Sequence, residues 1–594
     1  MAADRRFKAY LLFLAVLAVG VVWIVGLGEA TPREPVTIVQ TQDVPAGNPE
    51  TPSPQPTRET LYHNIKLLDG VALRVAQNYM EDVDPEKLTK AGINGMLDIL
   101  DPFSVLMEEQ FYNRLMETTQ GRYEGLGMSI DMRDDTITVV APMEGTPAER
   151  VGLEAGDKIV EIDGASTVGM STEDASKRMR GPAGTKVALK VTRVGISEIM
   201  EFTVERAVIE LKSVPYYGMA DPENKIGYLR LNKFSETTAD ELRQALTALN
   251  QNDLNGLIFD LRGNGGGLLE QAVETASLFL TPDKLVVYTQ GKDPRSQKKY
   301  ITSGEPLFQN KPLVVLVDAA TASASEIVAG AVQDWDRGLI AGNTTFGKGL
   351  VQQIFSLPEN DNIKLKLTTA KYYVPSGRCI QKPHMSKKQL EEGPEEDTLH
   401  QSAPPEAFKT RAGRTVYGGG GIVPDVNIQR EMYSPIEVNL LRQSMYFNFA
   451  LEYSSQHTDI PTSFEATDQV LDEFRDFLKR RNFTYKTATE VELDRIKQIL
   501  TEDSTKQTIY GPYMKDLVAL VDREKEAEYQ HAKESIRRSL KGSILNKVFG
   551  ERGWYEGIVL HDDPYVKKAV QILRDRSEYK KILAADHVKA ATDN

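Results

Sequence analysis

The chain has 594 residues, of which 41% are hydrophobic and 26% are charged, and its formal net charge is −14 at pH 7. This length exceeds what one hydrophobic core supports, so we expect three or four folded units of ordinary globular composition. The acidic balance argues against nucleic acid as a partner, because phosphate binding needs a basic face. The single cysteine, Cys379, excludes an internal disulfide and a cysteine-rich metal site.

The distribution of histidine limits the possible chemistry. The chain has seven histidines, and none lies between His63 and His384. All the motifs described below fall in this interval. A Ser-His-Asp triad and a helical HExxH zinc site are therefore excluded from it, and any general base acting there is not an imidazole.

The N-terminus carries a long apolar run, residues 9–28, without a charge. At about 1.5 Å per helical residue the run spans roughly 30 Å, the thickness of a bilayer's hydrocarbon core. Arg5, Arg6 and Lys8 precede it and Glu29 follows. This asymmetry predicts a cytoplasmic N-terminus (residues 1–8), a transmembrane anchor and an exported, periplasmic or extracellular, catalytic part. A cleaved signal peptide is the alternative, but the run is longer than the usual signal core.

Two segments of different character follow the apolar run. Residues 29–58 are rich in proline, which predicts an extended spacer of polyproline II type. Residues 59–120 show apolar positions at spacings of three and four, beginning with Leu61, Ile65 and Leu68. This periodicity predicts a small helical N-terminal domain.

From residue 121 to residue 206 the pattern changes to short β-type runs separated by Gly, Pro and Asp. Two helical stretches, residues 147–152 and 171–179, interrupt them. Five short strands with two helices in this length are typical of a PDZ domain. The predicted strands are residues 127–131, 137–140, 158–162, 187–193 and 201–206.

Residues 207–430 alternate between strand and helix patterns. Such alternation predicts an α/β sheet covered by helices on both faces. The predicted strands are residues 226–231, 256–261, 285–289, 313–318 and 339–341, and the predicted helices are residues 237–250, 268–280 and 324–335. A polar insertion, residues 382–420, is predicted to be a mobile loop. Residues 431–594 are charged and helical, with no further catalytic pattern.

The first motif lies in residues 123–130 (YEGLGMSI). A glycine turn at the start of a strand can direct consecutive N–H groups of Leu126, Gly127 and Met128 at one carboxylate, while the strand edge pairs with a peptide. A plain glycine-containing strand start is the alternative. The following run, residues 146–164, resembles the PDZ pattern of a short helix, a Gly-Asp turn and a strand, and this favours a site for peptide C-termini.

The second motif is the glycine-rich run of residues 260–268 (DLRGNGGGL), between an apolar strand and a helix. Glycines allow close approach of the backbone to a ligand, and amides at a helix start stabilise negative charge. A phosphate-binding loop is the competing interpretation, but the run lacks the GK[ST] ending. We therefore expect it to contribute to an oxyanion hole.

The third motif is residues 321–327 (TASASEI), directly after an apolar strand and at the start of a helix. A serine at this corner exposes its hydroxyl, and the amide of Ala324 is available for an oxyanion. The alternative is structural, because Ser323 and Glu326 have the spacing of a capping box, which many helices use.

The fourth motif is residues 345–353 (TFGKGLVQQ). In a dry pocket beside Phe346, burial would lower the pKa of Lys348 toward neutrality, so that it could take the proton of a serine hydroxyl. Gln352, four residues later, could orient the amine. A solvated loop lysine is the ordinary alternative.

Taken together, these motifs resemble the carboxy-terminal processing peptidases, also called tail-specific proteases, over residues 60–428. The resemblance also rests on residues 101–104 (DPFS) and 371–378 (KYYVPSGR). It implies an α/β fold with a crotonase/ClpP-like αβ protease core, an inserted PDZ domain, a helical N-terminal domain and a helical C-terminal extension.

The resemblance also implies the roles of individual residues. The nucleophile of the family lies 25 positions before the lysine, which selects Ser323 over Ser325. The conserved glutamine falls on Gln352. The oxyanion donors fall on the amides of Ala324 and Gly267.

The function implied is a serine endopeptidase that binds substrate C-termini in its PDZ domain and cleaves exported or unfolded proteins with a Ser323–Lys348 dyad. Such a mechanism needs no metal or organic cofactor. The expected partners are protein or peptide substrates, the membrane through the N-terminal helix, and a second copy of the chain if the terminal helices act as assembly surfaces. In this family the PDZ domain also gates the active site.

The sequence departs from the family pattern at two places, and two other classes of function are not excluded. The insertion 382–420 interrupts a connection that the family usually makes directly, and the helical C-terminal part lies outside the shared core. A membrane-anchored PDZ scaffold without activity would keep the peptide groove but would not be expected to have both Ser323 and Lys348 in place, and the sequence has both. A crotonase-like acyl-transfer enzyme fits the alternation of strand and helix, but not the PDZ pattern.

Overall fold

The computed structural model describes residues 58–584 except 359, 384–405, 430 and 503, together with the backbone of two short strands, Val22–Trp23 and Ile38–Val39. The chain divides into two compact units. The first combines the residues up to Gly121 with Lys212–Ile428 and the residues from Ala569 onward, and the second combines Arg122–Leu211 with Gln429–Lys568.

The centre of the first unit is a six-stranded sheet, the central sheet. Its strands pair in parallel, apart from the edge strand Tyr217–Asp221, which is antiparallel to its neighbour. Continuous apolar runs such as Leu313–Val317 are fully buried, as expected for parallel strands covered on both faces. In spatial order the strands are Tyr217–Asp221, Ile226–Arg230, Gly256–Asp260, Leu313–Val317, Leu339–Gly342 and Val426–Asn427.

Three helices connect these strands: Thr238–Asn250, Leu269–Ser277 and Ala324–Asp334. The helix Ala324–Asp334 is buried along its whole length. It is part of the same hydrophobic core as side chains of the central sheet and of a second sheet. Burial on all sides holds the first turn of this helix in place, and this turn positions the site described below.

The second sheet of the first unit, the outer sheet, is built on a long antiparallel hairpin that the sequence analysis did not predict. The hairpin consists of Leu350–Leu357 and Asn360–Tyr373, and Gln352 lies opposite Thr368. The sheet continues through Leu285–Gly291 to Lys298–Ile301. The two short N-terminal strands pair with its edges.

The predicted N-terminal helices are present as Arg58–Asn78, Pro85–Asp98 and Glu109–Gln120. Asp84 caps the second of them, since its carboxylate accepts from the N–H groups of the first turn. Between the second and third helices, Val105–Glu108 pairs with the hairpin of the outer sheet. This strand brings the preceding turn, residues 101–104, against the first unit's core.

The second unit contains the predicted PDZ segment. Its helices are Pro147–Arg150 and Thr172–Met179, close to the predicted bounds. The sheet ends in Met128–Arg133 at one edge, and this strand has one neighbour in the sheet. In spatial order the main strands are Met200–Glu205, Lys186–Thr192, Lys158–Ile162, Thr136–Pro142 and Met128–Arg133; Ala165–Ser166 pairs with the third of them, and Arg122–Gly125 pairs separately with Ala207–Glu210.

The remainder of the second unit is helical, as predicted. A hydrophobic cluster including Leu440, Phe449, Phe474 and Ile536 joins four of its helices. The 51-residue helix Ser504–Trp554 is interrupted at Gly550, where φ is 64°. The helices after residue 430 are Pro435–Arg442, Met445–Gln456, Asp468–Arg480, Ala488–Glu502, Ser504–Trp554 with a π-helical turn at Tyr555–Val559, Leu560–Asp562, Pro564–Arg574 and Arg576–Ala584. The division between the units falls within Pro564–Arg574, and Arg576–Ala584 belongs to the first unit.

The prediction of a single-pass membrane protein with an exported catalytic part is wrong. In the part of the chain that the structure describes, no helix combines the length and the apolar character needed to cross a bilayer. The long helix Ser504–Trp554, for example, carries charged side chains throughout its length. Most of the predicted anchor, residues 9–28, lies outside the described residues; those described within it, Val22–Trp23, form a strand rather than a helix. The predicted spacer, residues 29–58, also lies largely outside the described residues.

The described part of the insertion 382–420 is not the predicted loop. Ala407–Lys409 and Thr415–Tyr417 form a hairpin. Within it, Arg414 is buried and pairs with Asp336 at 2.6 Å and with Asp425 at 2.5 Å. These two ion pairs of the buried Arg414 hold the hairpin to the rest of the first unit. Residues 384–405 lie outside the described residues.

Candidate active site

Ser323 stands at the start of the buried helix Ala324–Asp334, shortly after the central strand Leu313–Val317. Its backbone has φ 59° and ψ −117°, a conformation that side chains other than glycine rarely adopt. The residue is fully buried, and its Oγ has no hydrogen-bond partner among the described residues. A strained backbone and an unbonded hydroxyl are unusual for a residue that merely starts a helix.

Glu326, predicted only as a member of a capping box, accepts hydrogen bonds both from the start of its own helix and from the distant segment of residues 345–348. Its Oε2 accepts from the N–H of Ser323 at 2.8 Å and from the N–H of Lys348 at 3.0 Å. Its Oε1 accepts from the N–H of Gly347 at 2.8 Å and from Thr345 Oγ1 at 2.5 Å. This carboxyl therefore ties the helix start to the lysine loop. Burial raises its pKa to about 7, against the lowering effect of these donors.

Tyr372 makes a second connection between the same two segments. Its hydroxyl reaches the carbonyl oxygen of Ser323 at 3.1 Å and also contacts the carbonyl oxygen of Lys348. Tyr372 is fully buried and lies on the hairpin of the outer sheet. The backbones of Ser323 and Lys348 are thus held together both at their N–H groups and at their carbonyls.

Lys348 is fully buried in the first unit. Its Nζ lies 4.6 Å from the centre of the Phe103 ring, whereas Phe346, the residue expected to dry its pocket, is partly exposed. Burial, assisted by the charge of Lys366, holds the pKa of Lys348 well below its ordinary value. The predicted desolvation is present, but the aromatic residue responsible comes from the turn of residues 101–104.

Lys366 is a second buried lysine that the sequence analysis did not identify. It lies on the hairpin of the outer sheet and is 8% exposed. Burial lowers its pKa to about 8, while the negative charge of Asp101 acts in the opposite direction. Two lysines and one carboxylate therefore share this part of the core, which favours the neutral form of the more deeply buried amine.

Gln352 is fully buried on the strand Leu350–Leu357. Its Nε2 donates to Thr368 Oγ1 on the facing strand at 3.1 Å. Its Oε1 is buried and has no partner among the described residues. Buried polar atoms normally make a hydrogen bond, so this buried acceptor is available to a donor that binds or moves into the site.

The glycine-rich turn lies directly against Ser323. A Cβ on Gly266 would come within 2.8 Å of Ser323 Cβ and 2.9 Å of the Ala324 nitrogen. Gly267 has φ 147°, and a Cβ there would lie 2.1 Å from the carbonyl oxygen of Phe234. Only glycine therefore permits this close approach of two backbone segments.

The hydrogen bonds of this turn leave one N–H group unused. Asn264 Oδ1 accepts from the N–H of Gly266 at 2.9 Å, and the carbonyl of Phe234 accepts from the N–H of Leu268 at 2.9 Å. Between them, the Gly267 N–H has no acceptor among the described residues. The first N–H groups of a helix, such as that of Ala324, also lack intrahelical acceptors. The two predicted oxyanion donors thus belong to segments in direct contact.

The predicted peptide-binding residues lie in the second unit. Gly127 has φ 80°, and a Cβ there would come within 2.3 Å of the Thr146 side chain. Thr146 Oγ1 donates to the Gly127 carbonyl at 2.8 Å, which holds the turn. Leu126 is buried, and Met128 begins the edge strand of the PDZ sheet. A glycine turn beside an open strand edge is the geometry expected for binding a peptide end.

The structure also shows what the sequence reasoning missed. Tyr372 and Phe103 belong to runs quoted for the family resemblance, but neither was given a role at the site. Glu326 was noticed only for its local spacing to Ser323. Within the described residues, no three His, Cys, Asp or Glu side chains are grouped closely enough to hold a metal ion.

Three regions of the chain match known protein families. Residues 225–387 match peptidase family S41, and residues 138–193 match the PDZ domain. Residues 436–573 match a family described as "Probable PDZ-protease, C-terminal helical domain". This last match covers the helical part that the sequence analysis left without a role.

The alignments with two curated relatives cover at least 69% of the length of each relative. The carboxy-terminal-processing protease of Bartonella bacilliformis is 38% identical over 327 residues, 54% of this chain and 74% of that protein. The carboxyl-terminal-processing protease of Synechocystis is 40% identical over 298 residues, 50% of this chain and 69% of that protein. A solved photosystem II D1 C-terminal processing protease is 29% identical and covers 61% of this chain and 88% of its own, with a TM-score of 0.33.

The three family matches confirm the predicted fold class, an αβ protease core with a PDZ domain and a helical C-terminal extension. The curated relatives confirm the family resemblance that the motifs indicated. The chain belongs to the carboxy-terminal processing proteases of peptidase family S41.

Proposed function

We propose that this protein is a serine endopeptidase that cleaves with a Ser323–Lys348 dyad and recognises the C-termini of its substrates through its PDZ domain. One observation carries the proposal: a single buried oxygen, Glu326 Oε2, accepts hydrogen bonds from the N–H groups of both Ser323 and Lys348. The Ser323 hydroxyl has no hydrogen-bond partner within the described part of the chain, and burial lowers the pKa of Lys348. A lowered pKa favours the neutral amine, and a neutral amine can act as the base in place of a histidine.

The reaction proceeds in two stages. Ser323 Oγ attacks the scissile carbonyl carbon while its proton passes to the neutral amine of Lys348, and the N–H groups of Ala324 and Gly267 bind the developing oxyanion. The C–N bond then breaks, and the ammonium returns the proton to the leaving amine. In the second stage Lys348 takes a proton from water, whose oxygen attacks the acyl ester. The acid product leaves, and the proton returns to Ser323 Oγ.

Gln352 orients the amine in this mechanism. Its buried Oε1 is an acceptor without a partner among the described residues, and the amine of Lys348 is a donor. A hydrogen bond between them would direct the lone pair of the neutral amine toward Ser323. The single lone pair makes this orientation necessary, because a rotated amine cannot take the proton.

The PDZ domain supplies recognition. The turn of Leu126, Gly127 and Met128 binds the terminal carboxylate, and the edge strand Met128–Arg133 pairs with the residues that precede it. Neither Ser323 nor Lys348 is exposed, so cleavage requires an opening of the site. We propose that binding of a C-terminus favours the open form, as a ligand does when it binds one of two states more tightly.

The nucleophile is tested by cleavage of an unfolded protein with four forms of the chain. Wild type and Ser325→Ala are expected to cleave, because Ser325 Oγ donates to the Asn264 carbonyl at 3.0 Å and is not free to attack. Ser323→Ala and Lys348→Met are expected to be inactive. Equal cleavage by wild type and Ser323→Ala would remove Ser323 from the mechanism, and no cleavage by any form would favour a scaffold.

Recognition is tested with the same substrate carrying either a free C-terminus or a C-terminal amide. Gly127→Ala places a methyl group against Thr146 and is expected to raise KM for the free C-terminus about tenfold, with little change for the amide. Gly145→Ala is the matched control, because its φ is 74° but no atom lies within 4 Å of the added Cβ. If the two variants raised KM for the free C-terminus equally, backbone strain at a positive φ would explain the effect, and recognition of the C-terminus at this turn would be contradicted.

A further inference from the structure

A chain of hydrogen bonds runs from Gln352 to the turn that precedes the strand Val105–Glu108. Gln352 Nε2 donates to Thr368 Oγ1 at 3.1 Å, and Thr368 Oγ1 donates to Asp101 Oδ1 at 3.1 Å. At the other end of the same amide, Gln352 Oε1 is buried and has no partner among the described residues. This series of hydrogen bonds therefore ends at the Asp101 carboxylate on one side. On the other side it ends at Gln352 Oε1, which is available to accept a hydrogen bond.

The direction of each hydrogen bond in this chain is determined by Asp101. Its Oδ1 also accepts from the N–H groups of Phe103 at 2.8 Å and Ser104 at 3.0 Å, so this oxygen is an acceptor. A threonine hydroxyl has one proton. Because Thr368 gives that proton to Asp101, it can only accept from Gln352, and the NH₂ end of the amide must face Thr368.

A second pair of hydrogen bonds holds Thr368 against the turn. The N–H of Thr368 donates to Ser104 Oγ at 3.1 Å, and Ser104 Oγ donates to Asp101 Oδ2 at 2.8 Å. Both polar groups of Thr368, its hydroxyl and its N–H, are thus connected to the same carboxylate. This arrangement keeps the hydroxyl rotor in one orientation.

We propose that Asp101 and Thr368 are positioning residues, which set the orientation of the Gln352 amide so that its oxygen, and not its NH₂ group, is presented to Lys348. The inference rests on the proposed Ser-Lys mechanism. A flipped amide would present a donor to the amine, and a donor would compete for the lone pair that must take the serine proton. The two ends of an amide have nearly the same shape, so hydrogen bonding and not packing decides between them.

The test compares the pH dependence of kcat/KM for wild type, Thr368→Val and Thr368→Ser. Valine keeps the shape and the N–H of residue 368 but removes the hydroxyl, whereas serine keeps the hydroxyl. Thr368→Val is expected to lower the plateau of kcat/KM about tenfold. Its acid limb is expected to move to lower pH, because the ammonium form of Lys348 loses an acceptor. Thr368→Ser is expected to retain the wild-type profile.

Thr275→Val is the matched control, since Thr275 is a buried threonine whose Oγ1 has no partner among the described residues. It removes a buried hydroxyl elsewhere and is expected to leave the profile unchanged. A wild-type plateau and acid limb in Thr368→Val would overturn the inference. A lower plateau with an unmoved limb would also overturn it, because general damage to the fold has that effect.

If Thr368→Val does not fold, Asp101 provides the same comparison. Both Asp101→Asn and Asp101→Ala remove the negative charge that acts to raise the pKa of Lys348, so both are expected to move the acid limb to lower pH. Asp101→Asn retains an oxygen at the Oδ1 position, so its shift is expected to be smaller than that of Asp101→Ala. Equal profiles for these two variants would contradict the inference. Ser323→Ala is included in each series: activity that survives in Ser323→Ala refutes the proposed mechanism itself, and a wild-type profile in Thr368→Val refutes only the positioning role.

Discussion

The centre of the Phe103 ring lies 4.6 Å from the side-chain nitrogen of Lys348, although the two residues are far apart in the sequence. Phe103 is 3% exposed and Lys348 is fully buried. The ring acts on the amine in two opposite ways. It excludes water, which favours the neutral amine, and its face attracts a cation, which favours the ammonium.

Two substitutions of Phe103 separate these effects. Phe103→Ala opens space for water and is expected to raise the pKa of Lys348, because desolvation is the larger effect. Phe103→Leu keeps the site dry but removes the ring face, and is expected to lower that pKa slightly. The acid limb of kcat/KM, which reports the loss of the amine proton, should move to higher pH in the first variant and to lower pH in the second. Shifts in the same direction would contradict this explanation.

Lys348→Met is expected to abolish cleavage and yet to stabilise the protein at pH 7. Burial lowers the pKa of Lys348 in the folded state, so folding requires loss of a proton that the unfolded chain retains below its ordinary pKa of about 10.5. Methionine removes this cost, and Tm is expected to rise by a few degrees. The sign can be checked by repeating the melts at higher pH: the difference between the two proteins should shrink toward pH 10.5.

Glu326→Gln tests the connection between the helix start and the lysine loop. Glutamine has nearly the same size, but its NH₂ end cannot accept the hydrogen bonds that one of the carboxylate oxygens receives from two donors. We expect kcat to fall about a hundredfold with a small change in KM, and the free energy of unfolding to fall by about 2 kcal/mol. Unchanged kcat in a folded Glu326→Gln protein would show that the connection does not position the dyad.

Gly266→Ala tests the contact between the glycine-rich turn and Ser323. The added Cβ would approach Ser323 Cβ to 2.8 Å, so the two segments must separate and the oxyanion donors with them. The expected loss of kcat is at least a hundredfold. Gly263→Ala is the control: its φ is 66°, and the nearest atom to the added Cβ is Arg230 Nη2 at 3.7 Å. Equal losses in the two variants would assign the effect to backbone strain.

The sequence was a good guide where local pattern decides the structure. The predicted strand 158–162 is observed with the same bounds, and the predicted helix 237–250 differs by one residue. The long hairpin Leu350–Leu357 and Asn360–Tyr373 was missed, because its lysine-rich second strand lacks a continuous apolar run. The apolar run of residues 9–28 led to a membrane topology that the described residues do not contain.

The sequence by itself determined the family, the order of strands and helices, and the residue types that carry the chemistry, because these depend on short-range spacing and on composition. Only the tertiary structure decided which groups surround Ser323 and Lys348. Glu326, Tyr372 and Phe103 reach the dyad from three separate segments. Contacts of this kind depend on how buried elements pack, and no local periodicity records the packing partner of a side chain.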